Sequence, residues 1–97
     1  MKIKYKNNHT MRMVDKNGKR IRKNSLIKFL GYERNPITNA WTKHIQIITK
    51  IGIIEETTEQ IVLLCGYWRR NPYEVEVVTR SQAVLMAFED ENVRLKF

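Results

Sequence analysis

Residues 41–54, with the sequence WTKHIQIITKIGII, decide the fold class of this chain. Their odd-numbered positions are largely apolar and their even-numbered positions are mostly polar. That two-residue period is typical of a strand with one buried face and one exposed face. The stretch is long enough for one long strand or for two strands that continue through a bend. Gly52 is the expected bend or bulge, because it has no side chain to resist close approach.

Downstream of this stretch the pattern predicts two further strands. Residues 60–68 are apolar on both faces, which indicates a strand covered on each side, with Cys65 as a small core residue. Residues 73–79 alternate again and predict a half-exposed strand. Its Glu74 and Glu76 are expected to face solvent or a neighbouring basic strand.

The C-terminal part predicts one short helix. Ser81 can cap a helix at about residues 81–91, where alanine, leucine and methionine replace strand-forming residues. The apolar stripe of this helix is expected, from the spacing i, i+3 and i+4, at Val84, Ala87 and Phe88. A last strand is predicted from the alternation of Val93, Leu95 and Phe97.

The positive charge of the chain is concentrated in its first third. The 97 residues include 18 Lys and Arg and 10 Asp and Glu, which gives a formal net charge of +8. Residues 1–28 carry a formal charge of +9, with Asp15 as their single acid, and residues 29–97 carry −1. This asymmetry indicates a polyanionic or acidic partner for the first third of the chain.

The basic first third has the pattern of ordered structure rather than of a disordered tail. Residues 1–6 alternate between apolar residues and lysine, which predicts a strand with one charged face. Residues 11–23 predict a basic β-hairpin, because Asn17 and Gly18 lie between two strand-like runs and tolerate the positive φ of a hairpin turn. A ribbon of this kind can lie along a phosphate backbone or in a groove of a duplex.

Together these patterns predict a single, mostly β domain over residues 1–97, in which residues 1–24 form a basic β-hairpin extension. Residues 25–97 are expected to form a small antiparallel barrel or a highly bent sheet, together with the short helix. The succession of short strands around Ile51-Gly52-Ile53-Ile54 resembles the small SH3-type barrels of nucleic-acid-associated proteins over residues 25–80. The resemblance implies a fold of that kind and assigns no function.

Composition and motifs argue against several functional classes. No apolar run approaches the roughly 18 residues that a membrane-spanning helix needs, and no secretory signal is recognised, so no membrane partner and a cytoplasmic location are expected. A single cysteine rules out an internal disulfide. His9 and His44 lie apart, without acids at catalytic or metal-ligand spacing, and are expected to be surface side chains. No catalytic residue, metal site or cofactor is therefore predicted.

Residues 31–36 and 66–72 share a Gly-Tyr pair that is followed by Arg-Asn-Pro. The simplest interpretation is two strand-ending turns, since Asn-Pro favours turn initiation and proline ends strand pairing. The functional interpretation is that their tyrosine, tryptophan and arginine side chains bind unstacked bases and phosphates. Trp68 is expected at the contact surface, with Tyr67 pointing the opposite way.

The leading hypothesis is a small non-enzymatic β protein that binds nucleic acid, either DNA or RNA. The residues expected to contact phosphates, or an acidic partner, are Lys4, Lys6, Arg12, Lys19, Arg20, Arg22 and Lys23. The residues expected to supply stacking, base-edge or further cationic contacts are Tyr32, Arg34, Trp68, Arg69 and Arg70. Tyr73 and Trp41 could extend this stacking surface.

Two other functions are compatible with the same residues. The first is an inhibitor or adaptor from a phage or mobile element, whose basic ribbon docks on a host polymerase, restriction system or CRISPR effector. The abundance of isoleucine, lysine and asparagine, as in AT-rich coding sequences, supports such an origin. The second is a small ribonuclease toxin, since Arg, Lys, Tyr and Glu around one phosphate can cleave RNA. A homodimer formed through an exposed edge strand is a further partner hypothesis.

Overall fold

The computed structural model describes residues 3–5, 13–54 and 60–97. The chain is mostly β there, with one α-helix, α1 (Arg80–Glu89), and one 3-10 helix (Pro72–Glu74). The strands are β1 (Ile3–Tyr5), β2 (Met13–Val14), β3 (Arg20–Ile21), β4 (Leu26–Arg34), β5 (Trp41–Ile47), β6 (Lys50–Ile54), β7 (Gln60–Cys65), β8 (Trp68–Arg70), β9 (Glu76–Val77) and β10 (Val93–Lys96). The predictions of mostly β structure, a short C-terminal helix and a last strand are confirmed.

The strands form three small sheets. One sheet has the order β1-β6-β7-β8, a second has the order β10-β5-β4-β9, and β2 pairs with β3 in the predicted hairpin. Every pairing is antiparallel except that of β10 with β5, which is parallel. None of these sheets closes on itself in the part of the chain described, so the predicted SH3-like barrel is not confirmed. The two four-stranded sheets end instead at four short edge strands, β1, β8, β9 and β10.

The stretch that sets the fold class crosses from one four-stranded sheet to the other. It forms β5 and β6, which confirms two strands joined through a bend, but the bend lies at Ile48 and Thr49 and not at Gly52. The Ile48 N–H donates to the carbonyl of Ser25 beside β4 (3.0 Å), and the Thr49 N–H donates to the carbonyl of Leu64 in β7 (2.8 Å). Two consecutive residues thus bond to different sheets. Gly52 lies in mid-strand and is paired on both sides.

The sheet β10-β5-β4-β9 has a hydrophobic core on each face. The core next to α1 contains the buried side chains of Leu26, Ile45, Val78, Ala83 and Val93. The core on the other face contains those of Met13, Ile21, Ile27, Phe29, Ile48, Leu63, Cys65 and Val75. The neighbours Leu26 and Ile27 belong to different cores because side chains alternate across a strand. Met13 and Ile21 attach the hairpin to this other core. Cys65 lies in the same core, which confirms its prediction as a core residue.

Helix α1 begins earlier than the sequence suggested. Its N-cap is Thr79 and not Ser81. The Thr79 hydroxyl accepts the N–H of Gln82 (3.1 Å), and the Gln82 side chain accepts the N–H of Thr79 (2.9 Å). This reciprocal pair satisfies two backbone donors that the first turn of a helix leaves free.

The buried face of α1 also differs from the predicted stripe. Ala83 is buried, and Met86 and Ala87 pack against the same core. Val84 and Phe88 are exposed, so their assignment to the buried stripe is wrong. The two alanines face the sheet because small side chains allow the helix to lie close to it.

The predicted strand over residues 60–68 is interrupted. It divides into β7 and β8 at a turn of Gly66 and Tyr67, where Gly66 has a φ of +60°. A left-handed backbone of this kind favours glycine. The turn reverses the chain, so that β8 returns along β7.

The predicted strand over residues 73–79 is mostly absent. The 3-10 helix takes its first part, and only the two-residue β9 remains. Pro72 starts the 3-10 helix because its fixed φ suits a helical turn and it has no N–H for a strand ladder. Glu76 faces Lys28 of the adjacent β4, with 3.4 Å between the carboxylate and the ammonium, and Glu74 is exposed. The expected environment of the two glutamates is confirmed.

Candidate functional site

The hairpin turns its only described carboxylate inward. Asp15 is 4% exposed and accepts the backbone N–H groups of Asn17 and Lys19, each at 2.8 Å, and of Val77 at 2.7 Å. The first two bonds close the hairpin turn, and the third fixes the hairpin to β9. Burial raises the pKa of Asp15, but the three N–H donors and the charge of Lys19 outweigh it, so that the pKa lies below its usual value. Asp15 is therefore an ionised structural group.

The charged side chains on the outward surface of the hairpin are all cations. We call these five exposed side chains the hairpin cations: Lys16, Lys19, Arg20, Arg22 and Lys23. Ile21 is buried, so its neighbours Arg20 and Arg22 both point away from the core. Lys16 lies 3.5 Å from the carboxylate of Glu76. Within the described ranges, no acidic side chain lies within 4 Å of the other four.

Arg70 lies in the interior, although the sequence suggested a base contact. It is 8% exposed, and its guanidinium donates to the carbonyl of Leu30 (2.9 Å), the hydroxyl of Tyr32 (3.0 Å) and the carbonyl of the preceding residue (2.7 Å). The ring centroids of Phe29, Tyr32 and Trp68 lie 5.0, 4.7 and 4.9 Å from its central carbon. Carbonyl oxygens and aromatic faces stabilise this buried cation. Arg70 thus positions Tyr32.

Trp68 and Tyr67 have the opposite exposure to the one predicted. Tyr67 projects from the turn and is fully exposed. Trp68 is half-buried, with its ring centroid 4.7 Å from that of His44, 5.3 Å from that of Tyr32 and 5.5 Å from that of Phe29. The turn at Gly66 decides this difference, because it ends one strand and starts the next with Trp68 facing the core.

His44 is a core residue, and its expected place on the surface is wrong. It is 8% exposed and stacks on Phe29, with 17° between the ring planes. Its Nε2 atom has no hydrogen-bond partner among the described residues. Burial, opposed by the charge of Glu33 and assisted by those of Arg94 and Arg70, holds the pKa of His44 below its usual value. The imidazole is accommodated because the residue beside it is Gly31.

A groove of about 620 Å³ lies beside β4, beyond the end of β9. β9 pairs with only Ile27 and Lys28, so the next residues of β4 have no strand neighbour on that side in the described structure. We call this cleft the β4 groove. Its lining includes the side chains of Lys16, Lys28, Tyr32, Arg70, Tyr73 and Glu76. Lys16 belongs to the hairpin cations, so the cationic surface of the hairpin continues into the groove.

Two tyrosines in the β4 groove are held by neighbouring residues of one segment. Tyr32 is 77% exposed, and Tyr73 is 69% exposed. Arg70 donates to the hydroxyl of Tyr32 (3.0 Å), and the side-chain amide of Asn71 donates to the hydroxyl of Tyr73 (2.8 Å). Both rings thus have fixed hydroxyl groups and large exposed surfaces.

The remaining predicted residues lie at the periphery or outside the description. Arg34 is exposed, with its guanidinium carbon 4.7 Å from the ring centroid of Trp41, and Arg69 is exposed on β8. Lys6, Arg12 and the side chain of Lys4 lie outside the described residues. The structure therefore brings Tyr32, Trp68 and Arg70 together. Arg34 on β4 and Arg69 on β8 belong to other sheets than the hairpin strands β2 and β3.

Sequence reasoning missed Lys16 and Lys28 as groove residues, and it named Tyr73 only as an extension of the stacking surface. Lys16 lies in the predicted hairpin turn, and Tyr73 follows the second Arg-Asn-Pro sequence, so both had a local signal. Lys28 had none, because its place beside Glu76 depends on the pairing of β4 with β9.

Comparison with known proteins found no match for this chain. The chain matches no protein-family model, and neither the curated proteins nor the solved structures include a significant match. Over the residues that the structure describes, no three His, Cys, Asp or Glu side chains are grouped so that they could hold a metal ion. None of the helices described there is long and apolar enough to cross a membrane.

Proposed function

We propose that this chain binds nucleic acid without catalysing a reaction, and that the hairpin cations contact the phosphate backbone. The observation that carries the proposal is the inward position of Asp15. Because three backbone N–H groups hold its carboxylate inside, no acidic side chain on the described outer surface of the hairpin pairs with these cations, and only Lys16 has a carboxylate beside it, that of Glu76. Such a surface attracts the closely spaced charges of a polynucleotide and releases its counterions on binding.

The attachment of the hairpin supports the same function. Met13 and Ile21 pack in the core, and Asp15 bonds to β9, so the cations project from a fixed ribbon and not from a free tail. A fixed array loses less conformational entropy when it binds a regular phosphate backbone. Phosphate contacts of this kind position the nucleic acid without reading its sequence.

Charge reversal with a matched control tests the proposal. The variant Arg20→Glu/Arg22→Glu should weaken binding to a fluorescent DNA or RNA oligonucleotide by about tenfold or more on every sequence, since two phosphate contacts become repulsive. The control is Arg94→Glu/Lys96→Glu on β10, which changes the net charge equally on two exposed side chains. The control should weaken binding by about threefold at most, through the long-range field alone.

An equal loss in both variants would mean that net charge and not the hairpin governs binding, and it would count against the proposal. Recovery of intact RNA after incubation is expected in the same samples. Cleavage of the RNA would contradict the non-enzymatic assignment and would favour the ribonuclease.

The second candidate is an inhibitor or adaptor that binds a protein of a host nucleic-acid-processing complex. It is favoured by the outer face of α1, where Val84, Leu85 and Phe88 are exposed next to one another. Apolar side chains grouped on a surface are typical of protein contacts. The test is capture from a nuclease-treated host lysate by the wild type and by Phe88→Glu, with Tyr67→Glu as an exposed control. A stoichiometric partner that only Phe88→Glu loses would support this candidate.

A further inference from the structure

We propose that the β4 groove binds unpaired bases of a single-stranded nucleic acid, which stack on the exposed rings of Tyr32 and Tyr73. The proposal rests on the nucleic-acid binding inferred above and names the form of the ligand. The hairpin cations would hold the phosphates of either a duplex or a single strand. The groove would accept only nucleotides whose bases are free to leave the helical stack.

The first support is the exposure of the two rings. Tyr32 has Trp68 and Arg70 against part of its ring, yet it is 77% exposed, and Tyr73 is 69% exposed. An exposed aromatic ring offers a partner a large flat apolar surface. Here both line one groove of about 620 Å³, which has room for a nucleotide.

The second support is that the rings are held in place before any ligand binds. Arg70 donates to the hydroxyl of Tyr32, and the adjacent Asn71 donates to the hydroxyl of Tyr73. Arg70 is itself fixed by the carbonyl of Leu30 and by the aromatic rings around it. Rings that are already ordered lose little freedom when a base stacks on them. Both anchors come from one Arg-Asn-Pro segment, which gives that sequence a structural role.

The third support is the charge of the groove. Its lining contains four cations and two carboxylates, and one of the cations, Lys43, is paired with Asp90 at 2.8 Å. The carboxylate of Glu76 lies 3.4 Å from the ammonium of Lys28 and 3.5 Å from that of Lys16. One negative charge is therefore shared between two lysines. Glu74 accepts the backbone N–H of Asn71 at 2.9 Å. The lining therefore keeps an excess of positive charge beside the tyrosines, where the phosphate of a stacked nucleotide would lie.

An extended peptide is a weaker candidate for the same groove. A peptide could pair with the free edge of β4, since the carbonyl of Leu26 accepts the N–H of Val78 on that edge and the carbonyl of Leu30 faces the same side. The Leu30 carbonyl already accepts a hydrogen bond from Arg70 (2.9 Å), so an added strand would find one of its acceptors occupied. Base stacking requires no backbone group of β4.

The test compares Tyr73→Leu with Tyr67→Leu on single strands and on a duplex. Tyr73 is the main site because it is exposed and belongs to neither hydrophobic core, and Tyr67 is the control because it is exposed and lies outside the groove. Tyr73→Leu should weaken binding of single-stranded DNA and RNA oligonucleotides by about fivefold or more and leave duplex binding within about twofold of the wild type. Tyr67→Leu should leave both unchanged, and Tyr73→Phe, which keeps the ring and loses only the hydrogen bond from Asn71, should bind single strands with an affinity between those of the wild type and Tyr73→Leu.

Tyr32→Leu gives a second measurement at the other ring, with the fold checked by circular dichroism, and the same selective loss is expected. Single-strand affinities that Tyr73→Leu and Tyr32→Leu leave unchanged would overturn this inference alone, provided that Arg20→Glu/Arg22→Glu still weakens binding. A wild type that binds neither single strands nor duplex would overturn the proposed function as well. Binding of a synthetic extended-peptide library that Tyr73→Leu abolishes, with oligonucleotide affinity unchanged, would assign the groove to a peptide instead.

Discussion

Residues 31–36 and residues 66–72 have nearly the same sequence and opposite structural roles. In the first segment Tyr32 lines the β4 groove, and Arg34 lies at the surface against Trp41. In the second, Tyr67 projects into solvent and Arg70 is buried among aromatic rings. The two meet through the hydrogen bond from Arg70 to the hydroxyl of Tyr32.

The difference follows from the strand that each segment belongs to. The first segment continues β4 as far as Arg34, with a register shift after Leu30, and its turn begins only at Asn35. The second breaks at once into a turn and a three-residue strand, which directs Arg70 inward. A local motif therefore specifies turn residues, whereas the pairing of the surrounding strands decides which side chain is buried.

The largest difference between the segments should be the contribution of their arginines to the free energy of unfolding. Arg70→Leu should lower the free energy of unfolding by about 3 kcal/mol, because it leaves the Leu30 carbonyl without its donor and removes the cation from three rings. Arg34→Leu should cost less than about 1 kcal/mol, since its contact with Trp41 is exposed. Urea unfolding of the two variants measures both. Equal losses would contradict the structural distinction between the segments.

The next difference concerns the two glycines. A Cβ at Gly31 would lie 2.7 Å from atoms of His44 and Thr42, so Gly31→Ala should cost about 2 kcal/mol through overpacking. At Gly66 a Cβ would lie at an ordinary contact distance of 3.6 Å from the side-chain oxygen of Gln46, but φ is +60°, so Gly66→Ala should cost about 1 kcal/mol of backbone strain. Asparagine separates the two causes, because it tolerates left-handed backbone and is larger than alanine. Gly66→Asn should lower the melting temperature less than Gly66→Ala does, and Gly31→Asn should lower it more than Gly31→Ala does. The reverse order at Gly66 would reject backbone strain, and the reverse order at Gly31 would reject overpacking.

The smallest effect should be a pH dependence that arises from His44, which lies between the segments. Its pKa is lowered mainly by burial, so the unfolded chain binds this proton more readily than the folded chain. Stability should therefore decrease as pH falls through about 6.5, the usual histidine value. The measurement is the melting temperature at pH 7.5 and 5.5 for the wild type and for His44→Gln. A decrease of the same size in the variant would show that other groups are responsible.

The sequence was sufficient wherever the signal was local. Asn17 and Gly18 predicted the hairpin, the apolar run predicted a buried Cys65, and each Asn-Pro does start a turn. The stretch through Ile48 and Thr49 predicted either one long strand or two strands joined by a bend, and the second alternative is the one that forms. The position of the bend was missed because the N–H groups of Ile48 and Thr49 bond to different sheets. No pattern within the stretch contains that information.

The candidate site was less predictable because it is built from distant residues. The groove requires β9 to stop beside Lys28 and Arg70 to reach Tyr32 from another sheet. The burial of His44 follows from its position opposite Phe29 in the pairing of β5 with β4, where the two-residue alternation alone placed it on a polar face. The outward direction of Phe88 follows from the way α1 packs on the sheet, through Ala83 and Ala87.

The most direct test of nucleic-acid binding by the hairpin is the salt dependence of oligonucleotide affinity. For duplex DNA, contact with about five phosphates predicts that the logarithm of the association constant falls against the logarithm of salt concentration with a slope of about −4 to −5. Fluorescence anisotropy across a series of salt concentrations measures this slope. Arg20→Glu/Arg22→Glu should reduce its magnitude by about 2, whereas Arg94→Glu/Lys96→Glu should leave it nearly unchanged. Micromolar binding that does not change with salt, or equal slopes in all three proteins, would contradict the account.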